Sequence, residues 1–371
     1  MADMNVTAAR PGLTPTIWDD NYFSEYVRTN QFSRYFGTSM DSMIQLKDDL
    51  TRKNGDSVVF ATVRRLIGAG VTGNTILEGN EELLNARSLK VTVGVLRHAV
   101  AVSEWDEQKS VIDLRNAARD ALLTWEKERM RNDIIASFGA ITADANTQLT
   151  YAAATAAQRN YHLVNNADRT QFGIAVSNGV SGVYATALAT VDNTADKMSA
   201  NMLLLAKRRA RLASPHIRPI RVNNDEEWYV VFMPSLPFRD LMNDPTIIQS
   251  MQYAWDRGAN NPLFTGGDIL WNGLIVREIP ELPVLKTTDP GGSTIDVAAS
   301  YLCGAQAIGI AWAQRAKSTT NVRDYDFMHG VGLQEIRGIA KMRYGVDATT
   351  DTTAPVDAGI YTLWSAAVGD P

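Results

Sequence analysis

Three glutamates, Glu78, Glu81 and Glu82, follow a run of glycines in the stretch VTGNTILEGNEELLNAR. At helical spacing three carboxylates share one face and could hold a divalent cation. Oxygen sites for calcium or magnesium usually draw ligands from a tight loop rich in Asp and Asn, and no such loop stands here. A charged tip that pairs with Arg or Lys of another chain is the better reading. Just upstream, Gly68-Ala69-Gly70-Val71-Thr72-Gly73 satisfies G-x-G-x-x-G after an expected strand, the pattern of a dinucleotide-binding turn. That turn should open a helix at once and be followed about 20 residues later by an acid. Gly79 interrupts the helix, and Val91 and Val93 stand where the acid should be. A nicotinamide-dinucleotide-binding enzyme is therefore a weak alternative.

Other chemistry is thinly represented. His98, His162, His216 and His329 are scattered, and none has a second ligand at the spacing of a zinc site. There is no G-x-S-x-G, no H-E-x-x-H and no P-loop lysine. Cys303, flanked by Leu302, Gly304 and Ala305, reads as a buried inert thiol. The expectation is no catalytic residue, no cofactor and no metal. In KRRAR, Lys207 to Arg211, a nucleic-acid patch competes with the commoner reading, a basic helix C-terminus that complements the helix dipole.

Stepping outward, 371 residues with 45% hydrophobic content can bury a sizeable core. A net charge of -5 argues against a surface built as a whole for phosphate backbones. The single cysteine excludes an intrachain disulfide and fits a reducing compartment. No signal peptide is expected in MADMNVTAARPGLTPT, and no run nears the ~18 apolar residues of a membrane span.

The elements follow from periodicity. Residues 1–16 read as an arm ordered by contact. From Trp18, the spacing of Trp18, Tyr22 and Tyr26, with Phe32, Tyr35 and Phe36 beyond, predicts a helix with an aromatic side. Gly55–Leu66 and Ser88–Val102 favour extended chain, the second through Val91, Val93 and Val95, and read as two long strands of one ribbon. The acidic stretch between them is its far end. Val111, Leu114, Ala118, Ala121, Leu122, Trp125, Ile135 and Phe138 then recur at threes and fours, predicting a helix from about Glu107 to Phe138, roughly 48 Å long at ~1.5 Å per residue. Its turn EKERMRND is polar on nearly all sides, which places it at the surface or against another polar surface. Residues 140–195 suggest loops and short helices. A helix over Ala195–Ala213, a buried strand at Trp228–Met233, a helix from near Phe238 and a β-rich region over Asn260–Val284 follow, and short strands close the chain. An isolated two-stranded ribbon is marginal in water. The arm and the ribbon therefore read as assembly devices that rest on neighbouring copies.

RKNGDSVVFATVRRLIGAGVTGNTILEGNEELLNARSLKVTVGVLRHAV, with LEGNEE at Leu77 to Glu82 and Arg97 and His98 closing the second strand, resembles the signature region of tailed-bacteriophage major capsid proteins of the coliphage N-four type. EEWYVVFMPSLPFRDLMNDP, NNPLFTGGDILWNGLIVREIP and GLQEIRGIAKMRYGV extend the resemblance. It implies an α+β chain with the Hong Kong 97-like capsid fold. Residues 1–50 would be the N-terminal arm and helix, 51–105 the extended loop, 106–195 the peripheral domain with its spine helix and an insertion, 196–300 mainly the axial domain, and 301–371 the return to the peripheral sheet. The implied function is a structural subunit that self-assembles into an icosahedral shell around double-stranded DNA. A bacterial encapsulin would share the fold, but LEGNEE favours a phage.

Implied partners are further copies in pentamers and hexamers, with portal, scaffolding and decoration proteins beside them. Packaged double-stranded DNA would lie inside without sequence-specific binding, and no membrane is involved. The subunit would assemble in the host bacterial cytoplasm and reside in the virion. Candidate inter-subunit contacts are Glu78, Glu81, Glu82, Arg64, Arg65, Arg97, Trp18 and Tyr22. The start of the chain carries no long helical scaffolding segment, so scaffolding would come from a separate protein. The fold's namesake cross-links its subunits through a loop lysine and an asparagine. Here Lys90 is the only lysine between Gly55 and Val102, and the resemblance gives it no such partner. Assembled particles should therefore run as one monomer band on a reducing denaturing gel; a ladder of multimers contradicts this.

Overall fold

The computed structural model describes residues 32–51, 55–63, 66, 68–74, 76–82, 86–109, 114–143, 147–222, 226–255, 269–325, 327–344 and 354–369. Trp18, Tyr22, Arg64 and Arg65 lie outside the described residues. In chain order the strands and helices begin with β1 (Phe36–Gly37), β2 (Ile44–Lys47), β3 (Ser57–Val63), β4 (Ala86–Thr92), β5 (Gly94–Ser103), α1 (Glu104–Lys109), α2 (Leu114–Phe138), α3 (Ala156–Asn165), β6 (Thr170–Phe172), α4 (Tyr184–Ala189) and α5 (Ala200–Leu212). They continue with β7 (Glu226–Met233), α6 (Ser235–Met242), α7 (Pro245–Trp255), β8 (Ile269–Trp271), β9 (Leu274–Glu278), β10 (Val297–Cys303), β11 (Ile308–Arg323), β12 (Met328–Lys341) and β13 (Ile360–Ala366).

Two compact units result, one from Met1–Val58, Val91–Phe138 and Ile308–Ala340, the other from Val59–Lys90, Gly139–Ala307 and Lys341–Pro371. In the second unit β6, inside the 140–195 stretch, runs parallel to β13, while β10 carries the same sheet through to Cys303.

The first unit holds a five-stranded sheet in the order β1-β2-β11-β12-β5. β11 and β12 span 16 and 14 residues, where only short strands were expected. β5 runs antiparallel to β12, from Met328 opposite Ser103 to Arg337 opposite Gly94, and forms the sheet edge. The expected continuous strand Ser88–Val102 is thus two: β4 pairs with β3, and β5 joins the sheet. The break falls at Val93, whose N–H donates to the Asp56 carbonyl at 2.9 Å. Opposite it, a Cβ on Gly338 would stand 2.3 Å from the Thr92 carbonyl oxygen, so only glycine allows this approach. Nor does an aromatic helix continue through Phe32. That residue is buried, Ser33–Tyr35 form a 3-10 turn, and Phe36 enters β1.

Ser103 caps α1 as its spacing to Asp106 predicts, accepting from the Asp106 N–H at 3.1 Å and donating to its carboxylate at 2.6 Å. α1 starts at Glu104 rather than Glu107, and α2 runs from Leu114 to Phe138, with Gly139 following. Along α2 a buried stripe falls at every fourth residue, Ala118, Leu122, Glu126, Met130, Ile134 and Phe138, joined near its end by the buried Ile135 and Ser137, whereas Ala121 is exposed. Leu123 and Trp125 pack on Ala316 and Leu333 of the sheet, and Trp125 lies 4.5 Å from the His98 ring.

In the second unit an eight-stranded sheet runs β8-β9-β7-β10-β13-β6, with Ile220–Val222 beside β7 and Val284–Leu285 beside β10. All seven residues of β10 and of β13 are buried, as near-continuous apolar runs require. Against the sheet pack Met202, Leu203, Ala206 and Ala210 of α5. That helix begins at Ala200, five residues later than expected. Asp192 takes the amides of Thr194 and Ala195 into a turn, and Ser199 accepts from the Met202 N–H as cap. α6 starts at Ser235 and holds Pro237 in its first turn, where a missing amide removes no helical hydrogen bond.

Behind β13 lies a buried ionic knot. Lys341 Nζ meets Asp357 Oδ2 at 2.8 Å, and His162 Nε2 stands 3.7 Å from the same oxygen. The Thr142 N–H donates to His162 Nδ1 at 3.3 Å, which requires an unprotonated Nδ1. Burial, opposed by Asp357 and assisted by Lys341 and Arg343, depresses the His162 pKa to about 4. Asp357 is itself held below the usual carboxylate range by Lys341 and His162, against the effect of burial. Replacing Asp357 with Asn should cost about 3–5 kcal/mol by leaving Lys341 buried without its counter-charge, read by denaturant unfolding. His162 takes up its proton later in the folded chain than in the unfolded one. Its contribution is fully present above about 6.5 and is lost as pH falls toward about 4, by up to roughly 1.4 kcal/mol per pH unit. A His162→Gln variant should lose that slope in acid melts.

Candidate assembly surfaces

Between β3 and β4 the described residues 66, 68–74 and 76–82 form no helix, so the three glutamates do not share a helical face. Glu82 instead reaches back 14 residues, where its Oε2 accepts the Gly68 N–H at 2.6 Å. Glu81 accepts the Gly79 N–H at 2.8 Å, and Asn80 closes the turn through its N–H on the Leu77 carbonyl and its side-chain amide on the Ile76 carbonyl, both at 2.9 Å. Glu78 is exposed. Gly70 and Gly73 have φ of +70° and +71°, which explains their residue type without a ligand. A carboxylate already occupies the Gly68 amide, and no helix follows, so the G-x-G-x-x-G stretch lacks the geometry that holds a pyrophosphate.

The ribbon changes character along its length. At its base Val58, Phe60, Leu89 and Val91 are at most 5% exposed within the single chain, so this part needs no neighbour. Toward the tip, Leu66, Ile76 and Leu77 are 59%, 71% and 62% exposed. Arg97 sits on β5 opposite Gln334 and is exposed, but it belongs to the five-stranded sheet and not to the ribbon. The structure therefore brings Glu81 and Glu82 into one loop and places Arg97 on a different element.

The basic end of α5 is engaged locally. Arg209 donates to the Thr170 and Ala167 carbonyls at 3.2 and 2.7 Å, Arg211 pairs with Glu227 at 2.9 Å, and Lys207 reaches the Asn272 carbonyl. Cys303 is fully buried, and burial pushes its thiol well above the usual range. Among the described residues no three His, Cys, Asp or Glu side chains are grouped to hold a metal ion, and no helix is long and apolar enough to cross a membrane. Sequence reasoning missed the buried charges Glu126, Glu335, Arg337, Lys341 and Asp357. The available signal was Glu126 inside a stripe of apolar residues four apart.

The exposed apolar residues of the loop and β5, the last strand of its sheet, are surfaces on which another chain can rest. Comparison with known proteins gives the particular class. Residues 7–369 match the family model described as phage capsid protein, so the chain belongs to the phage capsid protein family, and it is a major capsid protein of a tailed phage. It is 28% identical over 348 residues to the major capsid protein of Pseudomonas phage KPP25, covering 89% of each chain. Its fold matches a chain of the cyanophage Pam1 capsid asymmetric unit with a TM-score of 0.82 at 32% identity, covering 93% of this chain and 94% of that one. The capsid of Ralstonia phage GP4 shares the fold at a TM-score of 0.70 and 23% identity, covering 92% of each chain. The loop geometry carries its own prediction. Glu82→Ala should speed limited proteolysis within 68–82 by roughly three- to tenfold, the worth of one net hydrogen bond, and leave the melting temperature unchanged.

Proposed function

We propose that many copies of this chain build an icosahedral shell around double-stranded DNA, with the Hong Kong 97-like arrangement of the coliphage N-four type and no catalytic role. The observation that carries this reading is the match to the Pam1 capsid subunit over more than nine-tenths of both chains. In this reading residues 51–105 are the extended loop, α2 is the spine of the peripheral domain, and residues 196–300 supply most of the axial domain. Copies gather as pentamers and hexamers in the host cytoplasm, and portal, scaffolding and decoration proteins act beside them. Net negative charge suits an inner wall along which packaged DNA slides without sequence-specific contact.

The loop tip is the proposed contact between copies. Glu78, Glu81 and Glu82 meet basic side chains of an adjacent copy, with Arg64, Arg65, Arg97, Trp18 and Tyr22 as further contact residues. Each exposed pair contributes only ~0–1 kcal/mol, so repetition through the shell carries the effect. Two measurements test the reading. Sedimentation of the expressed protein should give a megadalton particle, and a monomer or small oligomer under all conditions contradicts the proposal. Replacing all three glutamates with Gln should lower the salt concentration that disassembles the particle; unchanged assembly and salt tolerance would remove the tip from the interface.

A further inference from the structure

The buried stripe at every fourth residue of α2 is apolar at Ala118, Leu122, Met130, Ile134 and Phe138, and its one charged member is Glu126, 0% exposed. On β12 the buried side alternates through Val331, Leu333, Glu335 and Arg337, with Glu335 also 0% exposed. Among the described residues of this unit, the buried charged groups are thus two carboxylates, Glu126 and Glu335, and one cation, Arg337.

That cation is shared. Arg337 Nε lies 3.0 Å from Glu335 Oε1, while its Nη2 lies 2.6 Å from Asp133 Oδ2, and the guanidinium also touches the Met130 sulfur. Asp133 additionally faces Arg129 at 3.2 Å, at the surface. From β5, Leu96 stands opposite Glu335 and Gly94 opposite Arg337, and His98 is turned to Trp125. β11 contributes Ala316, packed with Leu333, Leu123 and Trp125, and the buried Ser318. Arg315 of β11 pairs with Asp48 instead. On α2 Glu126 lies between Leu123 and Trp125, which pack with Leu333, and Met130 and Asp133, which meet Arg337, and so faces Glu335. Two such carboxylates out of contact with water do not both ionise beside one cation that is already divided with a third.

We propose that Glu126 and Glu335 hold one proton between them in the folded chain, so that a carboxyl–carboxylate hydrogen bond latches α2 to the sheet and opens when the proton leaves. Energetics agree with the geometry. Burial raises the Glu335 pKa from 4.5 to about 8, with Glu126 and Asp133 adding to the effect and Arg337 opposing it. The folded chain therefore holds this proton more tightly than the unfolded chain does. The latch is fully effective below about 4.5 and is lost as pH rises through about 8. It is a base-sensitive seat for the long helix.

The test is denaturant unfolding of the full-length chain at pH 6 and pH 8, beside Glu335→Gln, which keeps a neutral hydrogen-bonding group at every pH. Between those two pH values the folding constant of the native chain should fall by roughly fiftyfold relative to the variant. Parallel pH dependences overturn the proposal. Infrared spectra of the unmutated chain give a second reading if the variant does not fold. A protonated carboxyl band should persist at pH 6, where exposed carboxyls are ionised, and fade above pH 8, whereas its absence at pH 6 overturns the latch.

Discussion

The described part of the loop between β3 and β4 does not cover its own apolar side chains, and the proposed contact between copies rests on that constraint. Its base is sealed by Phe60 and Leu89, while Leu66, Ile76 and Leu77 stand in water farther out. Burying a side chain of this size stabilises by about 1.5–3 kcal/mol. Hydrogen bonds from Gly68 to Glu82 and from Gly79 to Glu81 hold the described part of this glycine-rich segment as a closed loop with those side chains outward. The loop is pre-shaped and lacks only a surface to rest upon. For one member of a repeating shell, an identical molecule supplies that surface at every position.

Inside the units, buried charge sets limits on pH from opposite sides. His162, held neutral beside Asp357 and Lys341, makes the second unit sensitive to acid. Glu335, held protonated beside Glu126, makes the first sensitive to base. Each arrangement depends on complete satisfaction, since a buried charge that loses its partner costs more than the pair contributes. The two windows overlap between about 4.5 and 6.5, where one contribution rises with pH as the other falls.

Much of this was legible in the sequence because it rests on local rules. The 3.6-residue period of α2, the Ser103 cap with Asp106 and the buried run of β7 all register in single stretches of chain. Pairing was legible only in the ribbon, where β3 joins β4 as expected. Ser88–Val102 reads as one strand, and only the approach of β12, with Gly338 against Thr92, divides it at Val93. The three glutamates read as a helical face, because nothing in their spacing reveals that Glu82 binds an amide 14 residues earlier. Glu126 lies within a turn read as polar and set at the surface or against another polar surface; Glu128, Arg129 and Asn132 are exposed, while Glu126 is buried. Its partners on β12 are more than 200 residues distant in sequence, beyond the reach of periodicity. The family resemblance supplied what local rules do not, because it drew on four separated stretches at once.

The most direct measurement is single-particle imaging of the assembled protein at a resolution that shows side chains. The account requires Ile76 and Leu77 to be covered by a second copy and at least one of Glu78, Glu81 and Glu82 to lie within salt-bridge distance of a basic side chain of that copy. A particle in which this loop stays in solvent, or folds back upon its own subunit, contradicts it.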